Sequence, residues 1–293
     1  MGTDNSGFSF VELSIALVLT AFVSLGAYRA VHSVGRTANS SSKETSKLLS
    51  LRTVEVKLAG DLRRVLSVRS ILPCATSSSF CSSVIVSGIT PLHGKNVDGN
   101  SANSDAVRIV VPVEGVDPIQ LTSDLTDVHD DVEADASAEP HFPRYGFAMI
   151  DDGYTSDVFY ITQAQTTGSL LRLSHEDSLG GTSIFWNHPD GLSKEYMSDA
   201  TLRPVEVITI GLRQQLGQDF LVRKKEGGQE SVLGTGVRSL EIFHHAFGLP
   251  SQGSVDPSRA LWSEIRRVSL HFSISGTAAS DRSEKLTVAM RNY

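Results

Sequence analysis

The stretch SGFSFVELSIALVLTAFVSLGAYRAV, residues 6–31, places one glutamate, Glu12, in an otherwise uncharged apolar run. Residues 8–28 form 21 positions whose only charge is Glu12, which is long enough to cross a bilayer as a helix. A carboxylate near the middle of a bilayer costs about 3 kcal/mol to insert, so an interaction that compensates for Glu12 is expected.

The helical pattern continues beyond the apolar run. Between residues 8 and 72 there is no proline, and after Arg29 the sequence becomes amphipathic. Apolar residues then recur with the spacing of one helical face, at Leu51, Val54, Leu58, Leu62 and Val65. We expect Pro73 to end this helix, and the weak helix formers Gly35 and 37–42 mark where it could loosen.

Three ordinary explanations of the apolar run each leave something unexplained. A cleaved secretory signal should have a basic start and an A-x-A-like site, and residues 1–31 contain neither. A plain signal anchor accounts for the length but not for Glu12. A buried helix of a soluble core is disfavoured by 21 residues with a single charge.

Gly7 followed by FSFVELSIALVLTAFVSLGAY resembles the prepilin N-terminus of type IV pilins and type II secretion pseudopilins. The resemblance implies that prepilin peptidase cleaves between Gly7 and Phe8, that Phe8 becomes N-methylated, and that Glu12 is the fifth mature residue. It divides the chain into a leader (1–7), a transmembrane assembly helix (8–28), an amphipathic helical stem (29–72) and a periplasmic β-rich head (73–293). It implies as partners other pilin or pseudopilin subunits, prepilin peptidase, the inner-membrane assembly platform and the lipid bilayer.

Cleavage would explain Glu12 physically. It exposes an α-amine on Phe8, about 6 Å along the helix axis from Glu12 at 1.5 Å per residue. The carboxylate could pair with this amine or with that of a neighbouring subunit, since an ion pair in lipid is favoured over two separated charges. Glu12 is therefore expected to serve subunit docking rather than catalysis, and both pairings remain open.

The charge is uneven along the chain. Residues 1–69 carry a net charge of +4 and residues 70–293 a net charge of −11. An acidic body argues against nucleic acid as a partner, because phosphate binding needs a basic face. The leader carries only Asp4 and the first basic residue is Arg29, so the positive-inside rule alone favours the opposite orientation to that of the family.

The two cysteines, Cys74 and Cys81, are expected to form a small-loop disulfide in an exported chain, the alternative being two free buried thiols. No zinc-type spacing surrounds them, and we expect no metal site and no cofactor.

The acidic stretch 124–139 is predicted to be a solvated, mobile loop. Its alternating Asp131, Glu133 and Asp135 resemble the start of a calcium loop but lack the glycine and glutamate that would complete it.

The rest of the chain is predicted to be mostly β. The strand-like runs are 83–87, 106–112, 156–163, 169–174, 205–212, 218–224, 237–244, 265–275 and 284–292. The last two alternate and enclose a turn-rich loop, which predicts an antiparallel hairpin. A long N-terminal helix packed on an antiparallel sheet gives an α+β fold.

The C-terminal strands and the length of 293 residues resemble large minor pilins and J-type pseudopilins. We therefore expect a subunit that primes or caps a type IV pilus or a type II secretion pseudopilus, located in the inner membrane with a single span and a periplasmic head. The alternatives are a pilin-anchored tip adhesin and a membrane-tethered enzyme.

The sequence contains neither H-E-x-x-H nor G-x-S-x-G, so it is not expected to be an enzyme. Arg223, Lys224 and Lys225 are expected to be a surface strand end rather than a DNA-contact patch.

Overall fold

The computed structural model describes residues 10–66, 68, 70, 88–179, 182, 183, 186–235, 237–246, 252, 253, 265–274 and 282–289. The chain divides into two compact units, Met1–Arg52 and Thr53–Tyr293. The first contains most of helix α1, Phe10–Arg63, and the second contains the end of α1 and the strands. A long N-terminal helix followed by antiparallel sheets confirms the predicted α+β class.

The second unit is built from short strands and one longer central strand. In the described residues they are β1 (Ile89–Leu92), β2 (Ala106–Pro112), β3 (Ile119–Gln120), β4 (Val132–Asp135), β5 (Phe147–Asp151), β6 (Ser156–Tyr160), β7 (Gln163–Thr167), β8 (Leu170–Ser174), β9 (Ser178–Leu179), β10 (Thr182–Ser183), β11 (Thr201–Gln215), β12 (Gln218–Lys225), β13 (Glu230–Thr235), β14 (Val237–Ala246), β15 (Gln252–Gly253), β16 (Ile265–Ile274) and β17 (Arg282–Ala289). Most predicted runs coincide with a strand, whereas run 83–87 lies outside the described residues.

The largest sheet is organised around β11, which is rich in β-branched residues. Its order is β1-β2-β11-β12-β13, with β3 and β5 also paired to β11 and β6 paired to β5. Within β11, Ile208 lies opposite Ile109 of β2 on one side and Lys225 of β12 on the other. Every pairing in this sheet is antiparallel.

Three smaller sheets complete the described part of the second unit, with the orders β15-β14-β16-β17, β4-β8-β7 and β10-β9. The predicted C-terminal hairpin is confirmed, because β16 and β17 are antiparallel partners in which Leu270 lies opposite Leu286 and Val268 opposite Val288. The apolar residues of the two alternating runs therefore share a register, as period-2 alternation requires.

The predicted apolar stripe of α1 packs into the core of the second unit. Val54, Leu58 and Leu62 are at most 2% exposed and cluster with side chains of β2, β11 and β14. The expected helix end at Pro73 is wrong, because α1 ends at Arg63. There the backbone turns to pair with the sheet: the N–H of Leu66 donates to the carbonyl of Val110 at 2.9 Å.

Helix α1 runs without a break through Gly35 and residues 37–42, so the possible loosening there does not occur. Hydroxyl groups in and just after this segment bond back to the helix: Thr37 Oγ1 donates to the carbonyl of Ser33 at 3.0 Å, and Thr45 Oγ1 to that of Ser41 at 2.9 Å. These bonds satisfy polar side chains within the helix itself.

Candidate functional site

The N-terminal part of α1 exposes an unusual amount of apolar surface. Its large apolar side chains from Phe10 to Val34 are between 49% and 82% exposed. The hydroxyls among them are bonded internally, with Ser14 Oγ donating to the carbonyl of Phe10 at 2.9 Å and Thr20 Oγ1 to that of Ala16 at 2.7 Å. A surface with internally satisfied polar groups and exposed apolar groups suits a lipid or helix-packing environment rather than water.

This part of α1 is long and apolar enough to cross a membrane. The qualifying segment is Leu13–Asn39, 27 residues with a mean hydropathy of 1.7, none of which is buried in the described chain. At 1.5 Å per residue, about 20 residues suffice for the hydrocarbon core. By length and composition alone, the segment is therefore longer than a membrane span requires.

The sequence-predicted site residues fall mostly outside the described chain. This applies to Gly7 and Phe8 and also to Cys74 and Cys81, so processing and the disulfide stay predictions. The backbone of Glu12 lies in the first turn of α1, and its side chain is not among those described. A carboxylate in the first turn of a helix is favoured by the helix dipole.

The acidic stretch 124–139 differs from its prediction as a mobile loop. It contains β4 and a 3₁₀ helix, Ala136–His141, and Val132 and Ala134 of β4 are fully buried. Its carboxylates have local partners: Glu133 pairs with Arg172 at 2.8 Å, and Asp135 accepts the N–H of Ser137 at 2.9 Å. Across the part of the chain that the structure describes, no group of three or more His, Cys, Asp or Glu is placed to hold a metal ion.

The basic trio at the end of β12 is neutralised within the second unit. Arg223 pairs with Asp61 of α1 at 2.8 Å, Lys224 with Asp98 at 3.0 Å and Lys225 with Glu206 at 2.8 Å. Side chains committed to carboxylates offer little to phosphate. The trio therefore links β12 to α1, to Asp98 and to β11, and it does not form a surface for anionic ligands.

A cleft of about 610 Å³ lies beside the edge of β14, and it brings Ser104, His93 and Asp105 together. Asp105 Oδ2 contacts His93 Nδ1 at 3.1 Å and accepts the N–H of Ile242 at 3.0 Å, while Oδ1 accepts the N–H of Gly94 at 3.0 Å. Burial opposes ionisation of Asp105, but these hydrogen bonds outweigh it and hold the pKa of the carboxyl below its ordinary 3.8.

This cluster ties two sheets together, since Asp105 precedes β2 and Ile242 belongs to β14. The hydroxyl of Ser104 accepts the N–H of Leu240 at 3.1 Å and donates to its carbonyl at 3.2 Å. Both main-chain bonds hold Ser104 against β14. The geometry is that of an inter-sheet link that occupies main-chain groups of β14.

A second polar cluster is closed to solvent. Asp157 is 2% exposed, and its Oδ2 accepts hydrogen bonds from the Ser193 hydroxyl at 2.6 Å and the Tyr196 hydroxyl at 2.9 Å. Burial and the neighbouring carboxylate both raise the pKa of Tyr196. The adjacent cavity measures about 10 Å³, room for about one water. This cluster therefore supports the fold and has no space for a substrate.

An aromatic patch forms on the second unit around Tyr145, which is 48% exposed. Its ring stacks on Tyr160 at a centroid distance of 6.3 Å, and Phe147 joins Tyr160 to Trp186 with edge contacts at 5.1 and 5.3 Å. Arg144 lies 4.6 Å over the ring of Tyr145. Tyr145 has a φ of 68°, a strained conformation for a bulky residue that is held by its surroundings.

In comparisons with known proteins, no family model, no curated protein and no solved structure matched this chain.

Proposed function

We propose that this chain is a minor subunit that primes or caps a type IV pilus or a type II secretion pseudopilus. Prepilin peptidase cleaves it between Gly7 and Phe8, and the mature chain is held in the inner membrane with its head in the periplasm before it joins the filament. The carrying observation is that the Gly7–Phe8–Glu12 motif stands at the start of the apolar run, whose described residues form an exposed helix.

The exposed apolar surface supports the proposal on energetic grounds. Covering apolar surface gains about 25 cal/mol per Å², so the side chains from Phe10 to Val34 favour removal from water. Lipid covers them before assembly, and the helices of neighbouring subunits cover them afterwards. The far end of α1 packs into the core of the second unit through Val54, Leu58 and Leu62, whereas the large apolar side chains from Phe10 to Val34 are exposed.

The docking role of Glu12 supplies the test. We expect Glu12→Ala to be processed normally yet to be lost from sheared filaments or cross-linked complexes, as measured by immunoblot against the wild type. Removing a carboxylate from the apolar run makes insertion easier, so the loss would not reflect a failure to enter the membrane.

The matched control is Glu55→Ala, an exposed carboxylate near the end of α1. This variant should be incorporated like the wild type. Normal incorporation of Glu12→Ala would contradict the docking role, and equal loss in both variants would show that the assay reports general damage.

A second candidate, a tip adhesin or binding module carried on the same anchor, is favoured by the aromatic patch. Tyrosine, tryptophan and arginine are the residues that most often dominate binding surfaces. If the patch binds a target, Tyr145→Ala should reduce attachment of cells that display the assembled chain. Tyr154→Ala, also exposed but in the β5–β6 turn, should leave attachment unchanged. Unchanged attachment in both variants would remove this candidate.

A further inference from the structure

The face of α1 formed by Tyr28, Arg29, His32 and Arg36, called here the basic face, directly follows the apolar run. At 100° per residue, Arg29, His32 and Arg36 lie within about 60° of one another around the helix. With Ser33 and Thr37 the basic face lines an open groove of about 450 Å³. Two guanidinium groups and an imidazole are thus gathered on one side of a single helix.

The imidazole of His32 in the basic face leans toward the apolar run. The rings of Tyr28 and His32 have centroids 5.9 Å apart and planes tilted by 55°, so the imidazole of His32 reaches back toward the preceding turn. Helical side chains tilt toward the N-terminus in general. By the same general tendency, the long side chains of Arg29 and Arg36 can reach back toward the end of the apolar run.

No carboxylate on the helix can neutralise these arginines. The sequence has no Asp or Glu between Glu12 and Glu44, and the positions three and four residues from Arg29 and Arg36 are uncharged or histidine. An intrahelical ion pair needs exactly that spacing of three or four residues. A partner for the basic face must therefore come from outside this helix.

The depth of the basic face in a membrane follows from helix geometry. Phe10 to Tyr28 spans about 27 Å at 1.5 Å per residue, close to the hydrocarbon thickness of about 30 Å. Tyr28 then lies at the boundary where aromatic residues are enriched, and Arg29 begins the headgroup layer. Arg36 is about 10 Å beyond Arg29 along the axis, a distance from which a long arginine side chain can reach back to that layer.

We propose that the basic face binds the phosphate of an anionic phospholipid headgroup. Arginine suits this ligand because its planar guanidinium can bond two phosphate oxygens at once. The opposite side of the helix, at the same depth, carries the exposed apolar residues Val31 and Val34. The positive charge therefore lies on one side of the helix, and the headgroup is expected to bind on that side. The proposal rests on the membrane anchoring of residues 8–28 proposed above, and its chemistry is the same in either leaflet.

The test uses the full chain reconstituted into nanodiscs of mixed phosphatidylglycerol and phosphatidylcholine. Native mass spectrometry of the released protein measures which lipid stays bound. We expect phosphatidylglycerol to be enriched over its bulk fraction, and the enrichment to fall about fivefold for each arginine removed in Arg29→Gln and Arg36→Gln. Arg52→Gln is the matched control, an exposed arginine about 24 Å beyond Arg36 on the same helix.

Three outcomes would overturn the proposal, and the first two are distinguishable from the third, which is failure of the anchor itself. Phosphatidylglycerol at its bulk fraction on an inserted wild-type chain would remove the headgroup site and leave the anchor intact. An equal loss in Arg52→Gln would show diffuse attraction rather than a site. Extraction of the wild-type chain from vesicles by alkaline carbonate would remove the anchor, and the headgroup site with it.

Discussion

The two ends of helix α1 carry similar apolar residues with opposite exposure. Near the start Leu17 is 64% exposed and Phe22 is 69% exposed, whereas near the end Leu58 is fully buried. The late residues are covered by strands of their own chain. Composition alone therefore does not decide burial in this helix, and the early residues are the ones for which a covering partner outside the chain is proposed.

The largest effect is expected from shortening a leucine at the buried end of α1. Leu58→Ala should lower the free energy of unfolding of the second unit by about 2–5 kcal/mol, because it removes buried methyl groups and leaves a cavity. Urea unfolding of the full chain in detergent, followed by tryptophan fluorescence, measures it. Trp186 reports on this unit because it packs against Phe147.

The matched control is Leu17→Ala, the same substitution on the exposed part of α1. It should change that unfolding free energy by less than about 0.5 kcal/mol, as is usual for surface positions. A similar loss for both leucines would mean that the early part of α1 is also held by the second unit, and the contrast between the two ends would fail.

The parts of the fold that could be predicted from sequence depend on local periodicity. The stripe of Val54, Leu58 and Leu62 repeats at helical spacing and predicts a face that is buried. The alternation of β16 and β17 predicts strands, and the two are antiparallel partners. The end of α1 could not be predicted in this way. The bond from Leu66 to Val110 joins residues 44 positions apart, and it ends the helix before any proline does.

Strand β4 was missed because its acidic residues concealed an alternating pattern. Val132 and Ala134 are fully buried, whereas Glu133 pairs with Arg172 and Asp135 accepts the N–H of Ser137. Composition suggested a solvated loop, but a half-buried strand needs only every second residue to be apolar.

The candidate site residues also fall into two groups, those that a local motif predicts and those that only the tertiary structure brings together. Gly7, Phe8 and Glu12 were predicted from a motif whose chemistry concerns a peptidase, a membrane and other subunits rather than contacts within this chain. The link between Asp105 and Ile242 joins residues 137 positions apart and has no local sequence signal. The aromatic patch likewise depends on a tertiary arrangement, because Tyr145 and Trp186 meet only through Tyr160 and Phe147.

A smaller loss of stability is expected from changing the hydrogen-bonded Asp105 of the second unit. Asp105→Asn should cost about 2 kcal/mol at pH 7, because the amide replaces a carboxylate that accepts bonds from Ile242, Gly94 and His93. Since the folded-state pKa of Asp105 lies below 3.8, its stabilisation is present above that pH and is lost as the pH falls through the folded-state value. The difference in unfolding free energy between wild type and variant should therefore shrink from pH 7 to pH 3.

The control for Asp105 is Asp117→Asn, an exposed aspartate in the second unit. It should leave the unfolding free energy nearly unchanged at pH 7. A gap between wild type and Asp105→Asn that stays constant down to pH 3 would show that the inter-sheet link does not depend on an ionised carboxylate.

The smallest effect compares two glycines. A Cβ on Gly211 of β11 would meet the Cβ of Ala106 at 2.8 Å and the backbone N of Val97 at 3.0 Å, so Gly211→Ala should cost about 1 kcal/mol of unfolding free energy through overpacking. A Cβ on Gly26 of α1 meets nothing within 4 Å, so Gly26→Ala should leave the second unit unaffected. Equal unfolding curves for wild type and Gly211→Ala would contradict the close packing there.

The most direct test of the central claim is mass spectrometry of the N-terminal peptide from native membranes. We expect a peptide that begins at Phe8 and carries one added methyl group, which keeps the exposed apolar helix attached to the head for assembly. In Gly7→Ala this peptide should disappear and unprocessed chain should accumulate. A mature N-terminus after the apolar run, near Ala30, would instead make the chain an ordinary exported protein and contradict the filament account.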